Sequence, residues 1–87
     1  MISVVVPVMN EEDNIWPLVK EITEAAATVP ITEIVYVDDA STDKTADVLS
    51  ALKAEYPLLR VIRHNKRAGQ SAALWTGVKA AKNEVIR

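Results

Sequence analysis

The sequence predicts an α/β protein, β-α-β-α-β-α-β, built as an open parallel sheet with helices on both faces. Three observations carry this. Short Val/Ile-rich runs alternate with stretches whose apolar residues recur every three or four positions. Pro30 and Pro57 stop the first two of those stretches. The connections between strand runs are long enough for helical crossovers, which parallel strands need and hairpins do not.

Ile2 to Val8 is apolar except for Ser3 and suits a strand buried on both faces, with Pro7 marking its end. Asn10 to Asn14 is polar, acidic and rich in helix-start residues. Ile15, Leu18, Val19, Ile22, Ala25, Ala26 and Val29 then form one helical face, with Pro17 tolerated in the first turn. Ile34-Val35-Tyr36-Val37 is the second strand and ends in Asp38-Asp39; Ala40 to Asp43 is a turn with cap candidates. Thr45, Ala46, Leu49, Leu52 and Tyr56 mark the second helix, and Leu58 to Arg63 the third strand. Asn65 to Gly69 is a polar loop. Ser71 to Lys82 reads as a third helix with Leu74, Val78 and Ala81 on one face and Ala72, Ala73 and Gly77 allowing close packing. Glu84 to Arg87 reads as the start of a fourth strand.

The 87 residues, 1–87, read as one small domain or a piece of one, and at 49% hydrophobic and 25% charged the composition argues against disorder. No apolar run is long enough for a transmembrane helix, and no signal peptide is read at the N-terminus. With no cysteine and one histidine, disulfide scaffolds and Cys- or His-rich metal sites are excluded, leaving carboxylates, backbone groups and bases for any chemistry. The net charge of −2 conceals an asymmetry: residues 1–43 carry nine acids and one base, residues 44–87 nine bases and three acids. The halves either line one cleft or simply attract each other across a solvated surface.

In an open parallel sheet, functional groups gather at the carboxyl ends of the strands. Here those ends are Pro7-Val8-Met9-Asn10-Glu11, Asp38-Asp39 and His64 to Gln70. Asp38 and Asp39 admit three readings: acceptors for a base N–H or ribose hydroxyls, with Glu11 able to serve the ribose; oxygen ligands to a divalent cation; or caps of the following turn. Asp43 and Thr42 read as caps. Lys66 and Arg67 are candidates for a diphosphate, or a solvated loop. His64 has no partner visible in the sequence and reads as structural. Trp16, Trp75, Tyr36 and Tyr56 read as core or half-buried. The glycines, Gly69 and Gly77, build neither a Gly-x-Gly-x-x-Gly turn nor a P-loop.

Three segments resemble a known family. Ser3 to Ile15, Ile34 to Thr45 and Asn65 to Gly77 are similar, in order, to the opening motifs of family 2 inverting glycosyltransferases with the GT-A fold. Gly69-Gln70-Ser71-Ala72-Ala73-Leu74 is most like the branch of dolichol-phosphate mannosyltransferases and undecaprenyl-phosphate sugar transferases. The resemblance implies the N-terminal, nucleotide-binding half of a Rossmann-like fold. It implies that Pro7, Met9 and Glu11 wrap base and ribose, that Asp39 accepts the base N–H with Asp38 supporting it, and that Gly69 and Gln70 close over the nucleotide. Met9 stands where the family usually has an aromatic residue, and Ala40 replaces the commoner Gly, a change expected to matter little.

The resemblance further implies a full-length enzyme transferring a sugar from UDP or GDP to an acceptor, a polyprenyl phosphate, at the cytoplasmic face of the membrane. It would use Mg or Mn held by an Asp-x-Asp beyond a fourth strand, whose ligands this chain lacks. The isolated 87-residue chain is expected to be cytoplasmic and inactive alone, and to dimerise or swap a strand through an exposed sheet edge. The alternative is a non-catalytic, receiver-like α/β binding module using Asp38 and Asp39 for a metal and a phosphoryl group.

Overall fold

The computed structural model describes residues 1–86. Its elements are β1 (Ile2–Val8), α1 (Ile15–Ala25), β2 (Ile31–Asp38), α2 (Thr45–Glu55), β3 (Leu59–Arg63), α3 (Gln70–Ala80) and β4 (Glu84–Ile86). Every pairing is parallel and the strand order is β3-β2-β1-β4. The fourth-strand expectation therefore holds for Glu84–Ile86, and Arg87 lies outside the described residues.

β2 is the spine. Residues 33–38 are all buried, and its side chains alternate between two apolar layers. Ile34 and Tyr36 pack with Ile15 and Val19 of α1 and Leu49 and Leu52 of α2. Val35 and Val37 pack with Val5 and with Ala73 of α3. Helices thus cover both faces, two on one and one on the other, as an all-parallel sheet requires. β1 runs one residue past Pro7, and Val8 accepts a bond from the Asp39 N–H on the β2 side. Side alternation turns Pro7 toward the other edge, where β4 pairs only with Ile2 to Val4, so its missing N–H interrupts no described ladder.

The helices are shorter than their periodicity suggests. α1 ends at Ala25 and unwinds through a tight turn before Pro30, leaving Val29 exposed. The acids at 11–13 sit in the preceding turn, and the first helical turn holds none. α2 stops where Tyr56 becomes extended before Pro57. In α3 the buried stripe is Ala73 and Gly77, with Leu74 and Val78 only half-buried. A Cβ at Gly77 would overlap Val5 and stand 3.1 Å from Val37 Cγ2, so the small residues are what let this helix reach the sheet.

Tyr36 is fully buried and Tyr56 half-buried. The two tryptophans are exposed instead, Trp16 at 45% and Trp75 at 61%, each with a lysine four residues later lying over its ring, Lys20 at 5.2 Å and Lys79 at 5.8 Å. A cation on the open face lets a large ring stay on the surface of these helices.

Candidate functional site

The carboxyl ends of β1 and β2 are locked together by side chains. Asn10 adopts a positive φ of 54°, and its Oδ1 accepts the N–H of Thr42 at 2.8 Å and of Asp43 at 3.3 Å. Its own N–H donates to Ser41 Oγ at 2.9 Å, and the next N–H, of Glu11, donates to Thr45 Oγ1 at 3.0 Å. Asp43 accepts the Thr45 N–H at 2.9 Å and the Glu12 N–H at 3.3 Å. These bonds hold its carboxyl below the usual range, led by the bond to Thr45. Asp43 thus serves the start of α2 and ties it to the first loop.

The two aspartates at the end of β2, Asp38 its last residue and Asp39 the next, do different things. Asp38 is fully buried: Oδ1 accepts from the N–H and hydroxyl of Ser41 at 3.0 and 2.5 Å, and Oδ2 from Arg63 Nη1 at 3.2 Å. It caps its own turn and pairs with β3. Asp39 Oδ1 faces His64 Nδ1 at 2.8 Å and accepts the Ala68 N–H at 2.9 Å; Oδ2 accepts the Gly69 N–H at 2.9 Å. The His64 contact, then the Ala68 amide, lower its pKa against burial. His64 has partners on both ring nitrogens, since Nε2 lies 2.9 Å from Thr76 Oγ1. The expectation of a histidine without a partner is therefore corrected. The register pairing Asp38 with Arg63 sets Asp39 beside His64, a neighbour visible only once the strand order is fixed.

A cavity of about 250 Å³ opens at this edge. Pro7, Met9, Glu11, Asp39, Gly69 and Gln70 line it, and Arg67 joins them. Asp38 is not on its wall, because both its oxygens are taken inside the fold. Lys66 is exposed and also off the wall. The charge asymmetry resolves two ways: Glu11 and Asp39 share the cavity with Arg67, while the buried acids Glu33 and Asp38 pair across the halves with the partly exposed Arg60 and Arg63. The cavity thus offers two carboxylate acceptors, one guanidinium and an apolar floor of Pro7, Val8 and Met9.

Among the described residues no group of three or more His, Asp or Glu side chains comes together to hold a metal ion. Two wall carboxylates alone are a poor fit for a divalent cation that takes six or so oxygens. Ala40 corrects another expectation. It sits at φ 59°, in the left-handed region where glycine is favoured, so the methyl group there carries backbone strain.

Residues 3–87 match the family described as Glycosyl transferase family 2. A dolichol-phosphate mannosyltransferase of Pyrococcus furiosus is 38% identical over 85 residues, 98% of this chain and 24% of that protein. A dodecaprenyl-phosphate galacturonate synthase of Rhizobium johnstonii is 34% identical over 87 residues, 98% of this chain and 26% of that protein. The mannosyltransferase PcManGT from Pyrobaculum calidifontis, solved in complex with GDP-Man and Mn2+, superposes with a TM-score of 0.83 at 31% identity, covering 93% of this chain and 24% of that one. The chain spans about a quarter of the length of the relatives it matches. No described helix is long and apolar enough to cross a membrane. Sequence and fold agree over nearly the whole chain, which belongs to glycosyl transferase family 2 and has the Rossmann-like α/β architecture of its GT-A enzymes.

Proposed function

We propose that this chain is the nucleotide-binding part, residues 1–87, of an inverting glycosyltransferase that moves a sugar from UDP or GDP to a polyprenyl phosphate. The observation that carries the reading is the cavity at the carboxyl edge, where two acceptors and one cation surround an apolar floor. Asp39 Oδ2 holds one described bond and keeps acceptor capacity for a base N–H. Glu11 is exposed beside it and suits ribose hydroxyls. Met9 packs its polarisable sulfur on the base in place of an aromatic ring. Arg67 draws the diphosphate, and Gly69 and Gln70 form the lip that closes over it. Asp38 supports Asp39 indirectly, by fixing the turn in which both stand.

Two relatives carry a dodecaprenyl or dolichol phosphate in their names, which supports a polyprenyl phosphate as the acceptor here, and a place at the cytoplasmic face of the membrane is part of the same proposal. In the full-length enzyme a divalent cation would counter the charge of the departing diphosphate. This chain binds and orients the nucleotide. It is expected not to turn over alone, which fits the lack, among the described residues, of a group of three or more His, Asp or Glu side chains to hold a metal ion. Beyond Val4, β1 has no described strand partner on its β4 side, so pairing between two copies at that edge is the expected self-association, checked by sedimentation at high concentration.

Calorimetric titration with GDP, UDP and ADP tests the binding. Weak saturable binding of GDP or UDP is expected, in a millimolar range worth about 4 kcal/mol, lost in Asp39→Asn and Arg67→Ala. No binding of any nucleotide, or unchanged binding in both variants, overturns the reading. Sugar transfer by the isolated chain would overturn the statement that it is inert.

A further inference from the structure

The loop between β3 and α3 has little of its own to hold it. Asn65, Lys66, Arg67 and Ala68 are all exposed, and none takes part in a described backbone–backbone hydrogen bond. What fixes the loop is the Asp39 carboxylate, which accepts the N–H groups of Ala68 and Gly69 at 2.9 Å each. Gly69 is at φ 98°, so the turn has a backbone shape that other residues avoid and cannot be replaced by a relaxed one. Arg67, Gly69 and Gln70 line the cavity, so one wall of the pocket hangs from one carboxylate.

That carboxylate is oriented in turn. The Ala68 N–H holds Oδ1 and the Gly69 N–H holds Oδ2, but both amides belong to the exposed loop, and the Cβ–Cγ torsion of an aspartate is broad, so carboxylate and loop can shift together unless a group outside the loop holds them. His64 is its side-chain partner, with Nδ1 2.8 Å from Oδ1 and the side chain 17% exposed. The ring is prevented from turning by Thr76, whose Oγ1 is 2.9 Å from Nε2 and 3.0 Å from the Ala72 carbonyl. The carboxylate only accepts, so Nδ1 carries the proton facing Asp39; the Thr76 hydroxyl then donates to a bare Nε2, or accepts from Nε2–H while donating to Ala72, and the ring stays satisfied whether neutral or protonated. The residues that follow β2 and β3 thus join Thr76 of α3 and the loop before it in one chain, Thr76–His64–Asp39–Ala68/Gly69.

We propose that His64, locked by Thr76, is a positioning residue for the nucleotide pocket: it fixes the Asp39 carboxylate and, through it, the Ala68–Gly69 wall. The consequence for affinity rests on the nucleotide reading above; the clamp itself exists without ligand.

The test uses the isosteres of the two ring nitrogens. His64→Asn keeps an N–H near the Nδ1 position, facing Asp39. His64→Gln keeps one near Nε2, facing Thr76, and abandons Asp39. Amide proton shifts and exchange at Ala68 and Gly69 are read by NMR without ligand, and dissociation constants for GDP and UDP by calorimetry. In His64→Gln and His64→Ala, exchange at these two amides is expected to rise about tenfold and the dissociation constant to rise by about the same factor. His64→Asn and Thr76→Ser stay close to the parent in both. If His64→Ala fails to fold, the Asn and Gln pair decides. Unchanged Ala68 and Gly69 amides in His64→Gln, or equal effects in His64→Asn and His64→Gln, would overturn the proposal. Should the parent bind no nucleotide while the amides follow the expected pattern, the nucleotide reading fails and the clamp stands.

Discussion

Buried acids stand at both ends of β2, Glu33 near its start and Asp39 just past its last residue, and the two differ in how they are answered. At the amino end, Glu33 Oε1 accepts from the Ser3 hydroxyl at 2.5 Å and the Lys82 N–H at 2.6 Å, and Oε2 from Arg60 Nη1 at 2.7 Å. Arg60 also donates to the Ala80 carbonyl at 3.0 Å. Three strands and the turn after α3 are tied together there, and Glu33 lines neither of the cavities found. At the carboxyl end, Asp39 is answered by a histidine and two amides of an exposed loop, and it stands on a cavity wall. A buried acid is thus no mark of a site by itself. What separates the two is where the compensating groups stand: on β1, β3 and the turn after α3, away from the cavity, or on a loop that also borders it.

The comparison breaks most visibly at Glu33. Glu33→Ala leaves the fully buried Ser3 hydroxyl and the Lys82 N–H without an acceptor and Arg60 without its partner, a loss of about 2–4 kcal/mol in urea unfolding. Nucleotide affinity of the folded fraction should not change; a change would mean the ends are coupled.

Acid should weaken both ends. Burial raises the pKa of Glu33, but the Lys82 amide, Ser3 and Arg60 outweigh it, and the net shift is downward from 4.5. Asp39 and Asp43 are likewise lowered from 3.8. A depressed carboxyl stabilises the fold above its unfolded value and loses that contribution as the pH falls through the folded value. Melting temperature should therefore be flat near neutrality and drop below about pH 4, with part of the drop removed in Glu33→Gln. On the alkaline side, burial and then the Glu11 charge push Tyr36 up to about 12. Its contribution is complete below 10.0 and is lost as the pH rises from there through about 12. Absorbance titration of the phenol checks this.

Relief of strain gives a smaller effect confined to the site end. Ala40→Gly should stabilise the protein by about 0.5–1 kcal/mol, since φ 59° suits glycine better than alanine. Smallest of all is Trp75→Ala, away from either end: with 61% of the residue exposed, a change within about 0.5 kcal/mol is expected in thermal melts.

Strand and helix order was legible because Pro30, Pro57 and the Val/Ile runs act locally. The stripe that α3 buries was legible in part: Ala73 and Gly77 read as allowing close packing, and they are the buried ones, while the apolar face of Leu74 and Val78 stays half-buried because close approach to Val5 and Val37, set by the sheet opposite, selects small residues. The tryptophans were misplaced for a related reason: apolar rank says core, and the lysine over each ring acts only in the folded helix. At the site, the wall residues from Pro7 to Gln70 followed from the rule of strand ends. The division of labour between Asp38 and Asp39 depended on Ser41, Arg63 and His64, which no spacing along the chain singles out.

The missing side chain at Gly77 has one more effect. It forms a notch seated over Val5, and a notch resists sliding along the helix axis as well as approach. Gly69 and Gln70 lie two turns before it, about 10 Å up the same rigid rod. The height of the cavity's lip is therefore gauged from deep in the sheet, where solvent and ligand do not reach.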